Sequence, residues 1–155
     1  MSKGSGPGRP LAARLTEADP AELASLVAET PDEELQETLQ GELRSTVLDA
    51  VFERFPEYVN PAKTRDVNAA VEWRIAGGPG DEENRYLVVV ERGECRVVDE
   101  LEGEPRTVIT IDGADFLQLV TGNANPTMLF FRGRIRVGGD LAFATKVAGF
   151  FEEES

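Results

Sequence analysis

The sequence predicts an α+β fold, with helical segments on either side of a strand-rich middle. Three observations point to it. Proline-marked helix starts occupy the first third, at Asp19-Pro20 and Thr30-Pro31. Apolar residues then alternate through residues 67–111, interrupted by Gly/Pro-rich stretches that read as turns. From Asp112 to Phe151 capped helical patterns return around one short strand. The 155 residues suffice for one domain with a real core, burying ~70% of the surface of the unfolded chain.

Residues 1–9 are rich in Gly and Pro and are expected to form a flexible tail, and residues 10–62 an N-terminal helical segment packed on the core. Within that segment Asp19 and Thr30 are predicted N-caps with Pro20 and Pro31 at the first helical position. Glu33, three residues after Thr30, completes an expected capping box there. Leu23, Leu26 and Val27 mark the apolar stripe of the first helix. Leu35, Leu39 and Leu43, then Leu48, Val51, Phe52 and Phe55, carry that of the second, with Gly41 a candidate break and Pro56 a stop.

The middle reads as strands. In VNAAVEWRI, residues 67–75, Val67, Ala69, Val71, Trp73 and Ile75 share one face, and GGPGDEEN supplies a long turn into RYLVVVE. That is a hairpin. The second strand is apolar on both faces, as a central strand would be. ECRVVDE and RTVITID, separated by LEGEP, extend the expected pairing as a meander. Cys95, in the third strand, reads as a small core hydrophobe.

Asp112 is placed to cap GADFLQLVT, which Gly122 closes; Asn125 and Pro126 start PTMLFFR, which Gly133 closes. In GRIRVGGD, Arg134 and Arg136 alternate with Ile135 and Val137 as a half-exposed strand does. Asp140 then caps a final helix, Leu141 to Phe151. One of its faces carries Leu141, Ala144, Ala148 and Phe151, and the flank Phe143, Val147 and Phe150, an apolar arc too wide for a single ordinary interface. Residues 152–155 form an acidic tail.

Composition excludes several function classes. Sixteen basic against 29 acidic residues leave a net charge of −13, so nucleic acid is not an expected partner. Without histidine there is no imidazole base, and a single cysteine rules out a Cys/His zinc site and an internal disulfide. No catalytic residue, metal or cofactor is expected. No apolar run has the length of a transmembrane helix and MSKGSGPGRP lacks a signal-peptide core, so the expected location is the cytoplasm.

The order of hairpin, DGADFLQLVTGNANP, LFFRGRIRVGGD and a terminal apolar helix resembles the sterol carrier protein 2 (SCP2) family over residues 63–151. The residues that carry the likeness are Phe116, Leu117 and Leu119; Thr121, Gly122, Asn123, Asn125 and Pro126; and Gly133 to Asp140. VLDAVFERFPEYVNPAKTRD resembles the helical lead-in of standalone bacterial members. The resemblance implies a five-stranded, mainly antiparallel sheet covered on one face by helices, with an apolar tunnel between them. The implied function is binding and carriage of a fatty acid, acyl-CoA, phospholipid, or sterol or isoprenoid, without catalysis.

Strand alternation and helix spacing assign the tunnel lining. They select Trp73, Phe116, Leu119 and Val120, then Met128, Ile135 and Val137, and on the last helix Leu141, Ala144, Val147, Ala148 and Phe151. Arg132, Arg134, Arg136 and Lys146 read first as a solvated sheet edge, and second as a headgroup or transient membrane contact. Two other readings stand beside lipid carriage. One is an interaction or dimerisation module using the apolar C-terminal helix, giving a monomer or weak homodimer; the other is a lipid-directed enzyme using Asp112, Asp115 or Asp140.

Overall fold

The computed structural model describes residues 10–151; the expected flexible tail 1–9 and acidic tail 152–155 lie outside the described residues. Helices α1 (Leu11–Glu17), α2 (Pro20–Glu29), α3 (Asp32–Thr38), α4 (Arg44–Glu53), α5 (Phe55–Tyr58) and α6 (Pro61–Thr64) lead into strands β1 (Asn68–Ala76), β2 (Asn84–Glu91), β3 (Glu94–Val98) and β4 (Thr107–Asp112). Helices α7 (Gly113–Val120) and α8 (Pro126–Phe131), strand β5 (Ile135–Gly139), helix α9 (Leu141–Ala148) and a 3-10 turn at Gly149–Phe151 complete the chain.

The five strands form one sheet in the order β3-β2-β1-β4-β5. Three neighbouring pairs are antiparallel; β1 and β4 run parallel, Trp73 opposite Ile109 and Ile75 opposite Ile111. The sheet is therefore mainly antiparallel but not the expected meander. β4 does not continue from β3. Segment 99–106 carries the chain back past β2 and β1 to the far side of β1. A parallel pair needs a crossover of a dozen or more residues, and here the β2–β3 hairpin and that segment together provide it. β3 is left as an edge, where Arg96 bonds Glu91 at 3.1 Å.

The alternation read from β1 holds: Val71, Trp73 and Ile75 are buried beside Val88 and Val90 of β2 and Thr107, Ile109 and Ile111 of β4. The helices cover this face in two layers. Phe52 of α4 stacks on Tyr86 of β2 at 3.9 Å and on Phe116 of α7 at 5.1 Å, while α7 and α9 lie against β4. Outside them, α1 packs on α4, and α2 and α3 on α7. On the opposite face buried Glu72 lies between Arg74, 2.6 Å away, and Arg85, 3.4 Å away.

Local signals in the N-terminal segment resolve differently from expectation. The capping box belongs to α2: Asp19 Oδ1 accepts from Glu22 N–H and Glu22 Oε1 accepts from Asp19 N–H. Thr30 is not an N-cap. Its hydroxyl donates to Leu26 O and its N–H to Val27 O, so it closes α2, and α3 begins after Pro31 without a side-chain cap. The second helix does break around Gly41, but Leu43 is exposed in that break instead of continuing the stripe. Pro56 sits in the first turn of α5, a position that tolerates a missing N–H, and so opens a turn rather than ending one. Helix α1 carries no side-chain cap, which is why Pro10 alone did not mark it.

Candidate functional site: a cleft between two helical layers

Helix α7 is apolar nearly all round, and seven of its eight residues are buried between the sheet and the outer helices. Its C-terminus turns in the GNANP stretch. Gly122 takes φ +77°, which an L side chain rarely adopts, and Gln118 O accepts the N–H groups of Asn123 and Ala124. Asn123 donates from Nδ2 to Ala24 O of α2 at 3.0 Å, and Asn125 Oδ1 accepts from Thr127 and Met128 N–H. This loop is therefore fixed at both ends. The last turn of the described chain is fixed as well, because Asn60 N–H donates to Phe150 O at 2.8 Å.

These anchored segments frame a cleft of about 1070 Å³. Its walls are Pro20, Ala21 and Ala24 of α2, residues 57–61 across the α5–α6 junction, residues 119–126 from α7 to the start of α8, and Ala148 and Phe151. Leu119, Val120, Val59, Ala148 and Phe151 give it an apolar floor, and Asn60, Thr121, Asn123 and Asn125 a neutral polar rim. Tyr58 lies in the same wall with its hydroxyl pushed up to about 12, chiefly by burial, so it is neutral at ordinary pH. Glu57 is the one charged side chain in the lining.

Of the residues assigned to a tunnel from sequence, Leu119, Val120, Ala148 and Phe151 meet in this cleft. Trp73 and Phe116 lie behind it, in an aromatic cluster that fills the space between sheet and helices: Trp73–Phe116 at 5.6 Å, Phe55–Trp73 at 6.0 Å and Phe52–Phe116 at 5.1 Å. Phe151 belongs to both, since its ring sits 5.5 Å from Phe55 and 6.1 Å from Trp73. Ile135, Ala144 and Val147 are buried and Val137 half-buried, away from the cleft. Met128 and Leu141 face water, Leu141 at 61% exposure.

The cations are elsewhere too. Arg134 makes a two-pronged pair with Asp115, Nε–Oδ2 at 2.8 Å, beside a cavity of about 150 Å³ that Arg136 and Asp112 also border. Arg132, Arg136 and Lys146 are exposed. None of the four lines the cleft. The three carboxylates considered as acids or bases are outside it as well. Burial holds the Asp115 carboxyl above the usual carboxylate range, with Arg134 opposing. Asp140, bonded by Phe143 N–H and Arg106, is held below the usual carboxylate range. Asp112 occupies the N-cap position of α7 without a side-chain cap bond. Among the described residues no cluster of His, Cys, Asp or Glu is suited to a metal ion, and no helix is long and apolar enough to cross a membrane.

Sequence reasoning missed the α5–α6 wall and the α2 side of the cleft. Asn60-Pro61 has the same cap-and-proline pattern as Asn125-Pro126, and Asn60 Oδ1 does accept from Ala62 N–H, so the helix start was legible. That the two starts face one cleft was not, because no local pattern encodes it.

Comparison with known proteins fits this geometry. The model of the SCP-2 sterol transfer family matches residues 48–152, more than half of the chain. The chain belongs to the SCP-2 sterol transfer family. Human sterol carrier protein 2 is 29% identical over 83 residues, which is 54% of this chain and 15% of that protein. The sterol carrier protein domain 2 of Helicoverpa armigera superposes with a TM-score of 0.55 at 20% identity, over 76% of this chain and 94% of that one. A palmitated SCP2L2 from Aedes aegypti superposes with a TM-score of 0.51 at 17% identity, over 69% and 92%. Both likenesses are of fold. The five-stranded sheet under one helical face is thus the family architecture, and the chain spans about 15% of the first of these relatives.

Proposed function

We propose that this SCP-2 family chain binds and carries a lipid tail in the cleft between α2, α7 and the end of α9, without catalysing a reaction. The observation that carries the reading is Phe151, which forms cleft wall on one side and packs on Trp73 and Phe55 on the other. Rotation of this ring would join the cleft to the aromatic core and lengthen it into the tunnel that the family resemblance implies. A tail gains ~0.8 kcal/mol per buried methylene, so ten methylenes supply ~8 kcal/mol before ordering costs, with no specific motif. The palmitated state of the Aedes aegypti relative supports an acyl tail. The neutral rim of Asn60, Asn123 and Tyr58 suits a hydroxyl, ester or amide head better than a carboxylate, for which the lining holds no cation.

In this reading the N-terminal segment 10–62 is part of the binding unit, since α2 and the α5–α6 junction supply two walls. The cytoplasm is the proposed location. Dimerisation through the C-terminal helix is not favoured, because Phe143, Val147, Phe150 and Phe151 are all buried.

The test is native mass spectrometry of freshly purified protein with solvent extraction, alongside titration of Trp73 fluorescence by monomeric fatty acid and fatty alcohol. Trp73 is the single tryptophan and is 1% exposed, so a tail reaching Phe151 would perturb its emission. Ala24→Phe, which places bulk in the cleft from α2 and leaves Trp73 the single tryptophan, is expected to abolish uptake with the fold retained. Undiminished uptake in that variant would remove the cleft as the site.

A further inference from the structure

The surface that tail binding leaves unexplained is the end of α8. Phe131 is 85% exposed, and Met128, one turn earlier on the same helix, is 43% exposed. Two large apolar side chains side by side in water serve no folding purpose, and such patches mark interaction sites. Arg132 follows Phe131 and Arg136 lies in the strand just beyond. Both are exposed, and neither makes an ion pair among the described residues. Residues 116–151 hold four basic side chains and one acidic, whereas residues 17–57 hold twelve acidic and two basic. The apolar patch therefore lies in a locally cationic stretch of a chain with net charge −13.

We propose that the end of α8 docks on a bilayer bearing anionic lipid, with Phe131 and Met128 among the headgroups and Arg132 and Arg136 facing lipid phosphates. Charge complementarity selects the bilayer over a second copy of the chain. A two-fold contact would set Arg132 near its own counterpart, whereas a phosphate surface neutralises it. The acidic helices oppose approach at long range, but screening confines their effect to ~8 Å at physiological ionic strength, so contact is weak and reversible.

This rests on the tail-binding reading and supplies its missing step. Helix α8 starts at Pro126 in the cleft wall and ends at Phe131, so at ~1.5 Å per residue its six residues put that wall within ~9 Å of the docked end. A tail leaving the bilayer then has a short path through water.

The test is flotation of the full, tail-free chain with vesicles of phosphatidylcholine containing phosphatidylserine, and with vesicles of phosphatidylcholine alone. Wild type is expected to float with the anionic vesicles and much less with the neutral ones. Phe131→Ser and Arg132→Gln should each lower the bound fraction about fivefold to tenfold. Leu43→Ser, which removes an exposed apolar side chain far along the sequence, should leave it unchanged. Uptake of monomeric fatty alcohol, read by Trp73 fluorescence, should be equal in wild type and Phe131→Ser, which separates docking from tail binding. Absence of flotation, or variants that float like wild type, would overturn the docking proposal. So would a concentration-dependent dimer abolished by Phe131→Ser, which would assign the patch to a second copy. Flotation by a wild type that takes up no tail would support docking and overturn the tail-binding reading.

Discussion

Replacing Arg44 by methionine removes a buried guanidinium that joins three parts of the fold. Arg44 is 2% exposed. Nη1 donates to Leu39 O at 3.0 Å, Nη2 to Ile75 O at 2.5 Å and Ala76 O at 3.1 Å, and Nε to Asn84 Oδ1 at 2.8 Å. The end of α3, the end of β1 and the start of β2 are thus held by one side chain. Methionine would orphan the two buried carbonyls, Leu39 O and Ile75 O, at ~1–3 kcal/mol each, whereas Ala76 O and Asn84 can turn to water. Against this, burial already disfavours the charge, lowering the Arg44 pKa with Glu82, Tyr86 and Asp112 opposing, and methionine escapes that cost. The net expectation is a loss of ~2–4 kcal/mol. With a urea slope of ~2 kcal/mol/M the midpoint should fall by ~1–2 M. Lysine, with one donor point in place of a fork, should lose an intermediate amount. A midpoint shift under ~0.25 M for methionine, at unchanged slope, would show that water satisfies those carbonyls and would refute the argument.

Asp19→Ala should cost ~1 kcal/mol through loss of the α2 capping box, whereas Thr30→Ala should change stability by less than ~0.5 kcal/mol. Equal losses in urea unfolding would reinstate Thr30 as a cap. Burial pushes the Cys95 thiol from 9.0 up to about 11 and the Tyr58 hydroxyl from 10.0 up to about 12, so the folded chain keeps protons that the unfolded chain releases. Their contribution is complete below pH 9.0 and is lost as pH rises through about 11 and 12; a Tm that stays flat across that window would contradict it. The same buried thiol should react with iodoacetamide far more slowly than free cysteine does at pH ~8. Gly139→Ala should destabilise by more than ~2 kcal/mol, because φ is +82° and a Cβ there would lie 2.7 Å from Arg106 O. Wild-type stability in thermal unfolding would show that β5 can shift to admit it.

What was legible in the sequence was what local spacing encodes. Asn125 before Pro126 and Asp140 before Leu141 are caps in the structure with the bonds such residues make, and the period-2 pattern of Val71, Trp73 and Ile75 named the buried face. The position of β4 was not legible. Thr107, Ile109 and Ile111 alternate equally well beside β3 or beside β1, and only the length of segment 99–106 hinted that the chain could travel. Arg44 was hidden for a related reason: a lone arginine in a helical stretch reads as surface, and its acceptors lie up to 40 residues away.

The candidate site shows the same limit from the other side. An excess of phenylalanine near the C-terminus was visible, but it divides among three physical roles. Phe143 and Phe150 are closed core; Phe151 is shared between core and cleft; Phe131 is in water. Helix spacing separated the first two roles only partly, since positions 147, 148, 150 and 151 all face inward at the tapering end of α9, where the turn tightens to 3-10. The third role follows from length. With Gly133 at φ +70° closing it after six residues, α8 is too short to bury all of Met128, Leu129, Phe130 and Phe131 against β5. Leu129 and Phe130 take the packed side, and Met128 and Phe131 are turned outward by the 3.6-residue period itself.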